Sequence, residues 1–140
     1  MEKPKYRSSI DAYKRTDVMT ANRETILLMM YAGAIRFLKR AIDANERDDI
    51  QERALMIQKT QAIVSELRAT LNFDVGGDLA ASLEALYAYI TERLIQGNLK
   101  KDTTLLKEAL SLLTTLNSAW EEAIASMRKQ SAETASQSAK

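Results

Sequence analysis

Apolar residues recur along this chain in steps of three and four, the period of an α-helix with one face turned to a core. The clearest stripe is Leu106, Ala109, Leu113, Leu116, Trp120, Ala123 and Met127, at coiled-coil spacing. Earlier, Leu79, Leu83, Leu86, Ile90 and Leu94 follow similar steps, and before them Ile57, Val64, Leu67 and Leu71, with Ile63 beside the line. Glu52, Lys59, Glu66, Glu84, Glu92 and Lys107 occupy the opposite faces.

Polar punctuation separates four segments. Asn22 is a suitable N-cap for a first helix reaching about Asn45, with Glu24 in its first turn. After the turn "NERDD", a second helix covers roughly Ile50 to Asn72. Gly76 and Gly77 break the chain, and Asp78 is placed to cap a third helix that runs to Gln96 and stops at Gly97. Asp102 caps a fourth, which continues to about Arg128. The expected fold is all-α: an antiparallel four-helix bundle over 22–128, a short capping segment over 1–21, and a disordered, small and polar tail over 129–140.

One stretch departs from the one-faced pattern. From Ile26 to Ile35 ten consecutive residues lack charge, although 28% of the chain is charged. At about 100° per residue such a run covers the whole helix circumference. Two readings follow. The helix is central and covered all round by its own chain, or it leaves an apolar groove for a partner.

Composition narrows the chemistry. There is no His and no Cys, which removes carboxylate–His metal sites, Ser-His-Asp catalysis and thiolate chemistry. The glycines form neither a phosphate loop nor a dinucleotide fingerprint. No metal, no cofactor and no enzymatic activity are expected. Lys plus Arg number 20 against 19 Asp plus Glu, a balance that argues against nucleic acid as a partner. The N-terminus lacks a signal-peptide core, and the Ile26–Ile35 run is short of the roughly 20 apolar residues that span a membrane. A cytoplasmic binding module is what remains.

The candidate partner-binding residues are Leu27, Met30, Tyr31 and Ala34 on the first helix, and Tyr87 and Tyr89 on the third. Gly33 marks a close helix crossing or a notch for a guest. The two tyrosines of the third helix stand about 200° apart, so one belongs at the surface. Trp120 falls on the core stripe and reads as packing. Ile10 and Tyr13, three apart, either anchor the N-terminus or form a removable lid.

Several stretches together resemble one family. "IDAY", "MTANRETILLMMYAGAIRFLKRA", "ELRATLNFDVGGDLAASLEALYAYITERLIQGNLKKD" and a late "SAW" appear in the order found in the flagellar secretion chaperones FliS. The most specific portion carries Gly76, Gly77, Asp78, Leu79, Ala80, Leu83, Leu86, Tyr87, Tyr89, Arg93, Leu94, Asn98 and Asp102. The resemblance implies a helical bundle that holds the C-terminal segment of flagellin one-to-one before type III export, with export-gate or regulatory proteins as further partners. It also implies that Ile10 and Tyr13 take part in flagellin binding. Ala32 and Ala88 stand where the family usually has Asp, and Arg23 where a Pro is common, which bears on the flagellin preferred. The alternative is a structural or adaptor bundle that dimerises through the apolar face of its first helix.

Overall fold

A computed structural model describes residues 5–138, with side chains described from Arg23 onward. Four helices follow one another: α1 (Lys5–Glu46), α2 (Ile50–Ala69), α3 (Phe73–Lys100) and α4 (Thr103–Ser138). Among the described residues α1 packs on α2 and α4, and α3 packs on the same two, so the helices form a four-sided bundle with α1 and α3 on one diagonal. Short turns make sequential neighbours antiparallel, the arrangement expected of the sequence.

The core is filled by the stripes. Leu38, Ile57, Val64, Leu67, Ile90, Leu94, Leu106 and Leu113 are buried, as is Gly33, whose α-carbon side lies 3.4 Å from Ile63 where a Cβ would stand. Gly33 therefore marks a close α1–α2 crossing. Two of the stripes shift. Leu79 is 58% exposed, and the buried line on α3 begins at Ala80. On α4 the line steps from Trp120 to Ile124, which is buried, while Ala123 is exposed and Met127 half exposed. A seam repeating every 3.5 residues drifts about 20° per heptad on a helix of 3.6, and by Ile124 the drift has moved the core side by one residue.

Helix ends also differ from expectation. No Gly or Pro interrupts Lys5 to Leu28, so the backbone continues as helix through Asn22, which lies inside α1 and does not cap it. At the other end α4 runs through residues 129–138, expected to be disordered. The stretch is rich in Ala, Gln, Ser and Lys without a breaker, and every residue from Ala125 to Ser138 is exposed. Its helicity therefore rests mainly on local propensity. The cap of α3 is Asn72, whose side-chain oxygen accepts the Asp74 and Val75 N–H groups at 3.1 and 3.2 Å. The break expected in the glycine pair is present as a kink at Gly77 (φ 50°, ψ −120°), a conformation that favours glycine. Gly97 does not end α3. The helix continues to Lys100 and closes on Lys101 in the left-handed conformation, while Gly97 is buried where α3 meets α4. A Cβ there would stand 2.6 Å from Leu106 Cδ2, so its lack of a side chain permits the close approach.

The end of the bundle that holds the α1–α2 and α3–α4 turns is closed by a polar network. Arg53 is 4% exposed, and its guanidinium donates to Asn45 Oδ1 and Asn98 Oδ1, each at 3.0 Å. The Asn45 amide donates in turn to Thr103 Oγ1 at 2.8 Å and to the Lys101 carbonyl at 3.3 Å. Side chains and backbone from all four helices or their turns are tied together in this way.

Candidate functional site

The opposite end is built differently. There α1 from Arg23 to Met30 runs beside the α2–α3 turn, and α4 passes at Trp120. Between them lie two cavities of about 450 and 540 Å³ that share Arg23, Leu27, Thr70 and Asn72. They form the two halves of one groove. The larger half is completed by Ile26 and Met30 of α1. The other is walled by Leu71, Val75, Leu79, Leu83, Tyr87 and Trp120. The local cause lies in the turn: Asn72 starts a helical turn, and Gly77 kinks it before it can merge with the rest of α3. Phe73, Val75 and Leu79 flank that kink, 53, 85 and 58% exposed, and across the groove Ile26 and Met29 are 51 and 67% exposed. Exposed apolar side chains thus gather around a concave surface, the arrangement of a docking site.

The ten-residue uncharged run is divided by this geometry. Tyr31, Gly33 and Ala34 are buried, Leu27, Leu28, Met30 and Ile35 are half-buried, and Ile26, Met29 and Ala32 are exposed. The run is not enclosed by the described chain.

The groove wall is nearly apolar. Arg23 is the one charged side chain lining it among the described residues. Its floor has a polar cluster: the Trp120 indole N–H donates to the Tyr31 hydroxyl at 3.3 Å, and the Tyr31 and Tyr87 hydroxyls are hydrogen-bonded to each other. Burial pushes both phenols above the ordinary tyrosine range; for Tyr31 the hydrogen bonds it shares with Tyr87 and Trp120 oppose that rise, and for Tyr87 the hydrogen bond it shares with Tyr31 adds to it. Both phenols are therefore neutral at physiological pH.

The sequence-derived residues are distributed unevenly. Leu27, Met30 and Tyr87 come together in the groove. Tyr31 is fully enclosed behind Tyr87, and Ala34, one turn further along α1, is fully enclosed in the core. Tyr89 lies on another face: it is 43% exposed, donates to Glu108 Oε1 at 2.6 Å, and carries the Arg93 guanidinium over its ring at 5.2 Å. That carboxylate bond raises the Tyr89 phenol pKa. Tyr87 and Tyr89 thus divide into a core and a surface residue, as their angular separation required. Ile10 and Tyr13 fall within the helical backbone of α1, but their side chains lie outside the described residues. Sequence reasoning missed Arg23, Val75 and Leu79 as wall residues and placed Trp120 only in the core. The available signal was the run of Phe73, Val75 and Leu79 around a glycine pair, too apolar for an ordinary exposed turn. Ala32 and Ala88, where the family usually carries Asp, are both exposed, so those departures alter the surface and leave the core as it is.

No helix among the described residues is long and apolar enough to cross a membrane. The family model described as "Flagellar protein FliS" matches residues 6–127. Curated relatives agree. The flagellar secretion chaperone FliS of Bacillus subtilis is 39% identical over 84% of this chain and 87% of its own length. FliSB of Pseudomonas aeruginosa, likewise a flagellar secretion chaperone, is 36% identical over 74% of this chain and 82% of its own. FliS of Vibrio cholerae is 30% identical over 83% and 88%. The match takes in all four helices and both walls of the groove, and the chain belongs to the FliS family of flagellar secretion chaperones.

Proposed function

We propose that this protein binds the C-terminal region of flagellin in the cytoplasm, one-to-one, blocks its premature polymerisation and keeps it competent for flagellar type III export. The observation that carries this reading is the groove bounded by Ile26, Leu27, Met30, Val75 and Leu79 in a member of a secretion-chaperone family. An amphipathic guest segment that buries its apolar stripe there gains roughly 25 cal/mol per Å² removed from water. The same stripe is then unavailable for packing between flagellin subunits. Ordering a disordered guest costs about 2–5 kcal/mol, which leaves a large contact reversible and suits handover to an export gate by competition. Ile10 and Tyr13, which the family resemblance links to the client, lie upstream of the α1 wall on the same helix and are proposed as further client contacts.

The test uses Trp120, the sole tryptophan, as a reporter in the groove wall. Titration with a recombinant flagellin C-terminal polypeptide is expected to shift its fluorescence and to give a one-to-one calorimetric isotherm. Ile26→Glu, at a half-exposed position lining the groove, is expected to weaken binding at least about tenfold with helical circular dichroism unchanged. Absence of heat and of a fluorescence change with the native protein contradicts the reading. A stable dimer that ignores flagellin supports the adaptor alternative instead.

A further inference from the structure

The seam between α1 and α2 continues from the groove. Met30 and Thr70 line the groove at its α1 and α2 edges. One turn further along α1, Gly33 faces Ile63, whose Cδ1 lies 3.4 Å from where a Cβ would stand. Another turn on, Phe37 meets Lys59, and beyond it Arg40 meets Glu52 at 3.0 Å. Phe37 and Ile63 are half-buried along this line, and Leu55, one turn from Lys59 on α2, is exposed. The seam thus offers apolar surface, as the groove does, but it differs in charge.

Phe37 is flanked by two cations. The Arg36 guanidinium and the Lys59 ammonium each lie 5.4 Å from its ring centre, within cation–π range. The two charges therefore stand no farther apart than twice that distance. Both side chains are exposed, and neither forms an ion pair among the described residues. Other cations of the bundle are matched: Arg40 by Glu52, Arg68 by Glu84, Lys107 by Glu46 and Arg128 by Glu24. Between Glu24 and Asp43, which Arg47 holds, the charges of α1 are Arg36, Lys39 and Arg40, all positive. On α2, Glu52 is taken by Arg40, and Glu66 lies two turns from Lys59 toward the groove. The middle of the seam is left with positive charge that no described side chain balances.

We propose that this stretch of the seam docks an acidic segment of the client, adjoining the segment seated in the groove. Two acidic side chains one helical turn apart, about 5–6 Å between their Cβ atoms, reach Arg36 and Lys59 together. Apolar neighbours on the same guest cover Phe37, Ile63 and Leu55. The charge supplies what the groove lacks. Apolar contacts tolerate sliding and either chain direction, whereas an acidic flank placed at Arg36 and Lys59 fixes both. The inference rests on the groove being the client site.

Calorimetry with the flagellin C-terminal polypeptide tests it through the double variant Arg36→Glu/Lys59→Glu. Affinity is expected to fall about 5–20-fold at low salt, and the gap from the native protein to narrow as ionic strength rises. Arg36→Gln/Lys59→Gln is expected to fall between the two. Lys100→Glu, an exposed cation at the turn end, is expected to stay within about twofold of native. A polypeptide with its Asp and Glu replaced by Asn and Gln is expected to bind native and double variant alike. Circular dichroism confirms that the variants are folded. Native affinity in the double variant, a loss that salt does not narrow, or an equal loss in Lys100→Glu overturns the seam while leaving the groove reading intact. A native protein that gives no binding at all overturns both.

Discussion

The two ends of the bundle handle their leftover groups in opposite ways. At the turn end, Arg53 is buried and satisfied by Asn45 and Asn98, with the Asn45 amide reaching Thr103 and Lys101. At the groove end, Ile26, Met29, Val75 and Leu79 are left in contact with water. Buried polar groups that find partners hold one geometry, because each alternative leaves a donor or acceptor unmade. Exposed apolar groups are non-directional and accept any guest of matching shape. On the proposed function the two ends divide the work: one keeps the bundle intact, and the other stays unfinished until a guest arrives.

Breaking the closed end has the largest expected effect. Arg53→Met removes two charge-assisted bonds and leaves the buried Asn45 oxygen and the half-buried Asn98 oxygen without that donor. The expected loss is about 2–4 kcal/mol, seen as a fall in Tm of roughly 10 °C by thermal circular dichroism. Client affinity measured well below the new Tm is expected to be unchanged, since the groove is at the other end. A variant that keeps its Tm but loses the client reverses the assignment of the two ends.

Gly97→Ala probes the same end by packing. The new methyl meets the side chain of Leu106, which is fully buried and must shift to admit it. Overpacking costs about 1–3 kcal/mol, and the better helix propensity of Ala returns about 1. A net drop of a few degrees in Tm is expected, again with client affinity preserved.

At the groove, Arg23→Glu is expected to leave Tm within about 1 °C, because the residue is exposed and forms no ion pair among the described side chains. Flagellin affinity is expected to fall a few-fold, and its dependence on salt to change sign or flatten, as for a rim charge. An unchanged salt profile places Arg23 outside the contact.

The sequence made the bundle legible because period is a repeated signal. Leu106, Leu113, Ile90 and Val64 each sit where the three-four spacing puts them. Features carried by a single residue were harder to read. Asn22 has a capping side chain, but a cap acts only where the preceding chain leaves the helix, and nothing between Lys5 and Asn22 makes it do so. Gly97 has the signature of a helix stop, yet a close approach to Leu106 calls for the same residue. Arg53 lies on the buried side of α2, but an arginine gives no hint of burial until Asn45 and Asn98 are brought to it from other helices. The groove itself was half legible. The uncharged run on α1 announced one wall; the other depends on a kink at Gly77 that exposes Val75 and Leu79, and no periodicity encodes a kink.

Hydrogen exchange across the two ends, with and without the flagellin C-terminal polypeptide, tests the contrast most directly. The client is expected to raise protection in α1 from Arg23 to Tyr31 and from Thr70 to Leu83, while the Arg53 network from Asn45 to Arg53 and from Gly97 to Thr103 stays as it was. Protection gained at the Arg53 end, with the groove segments unchanged, contradicts the account.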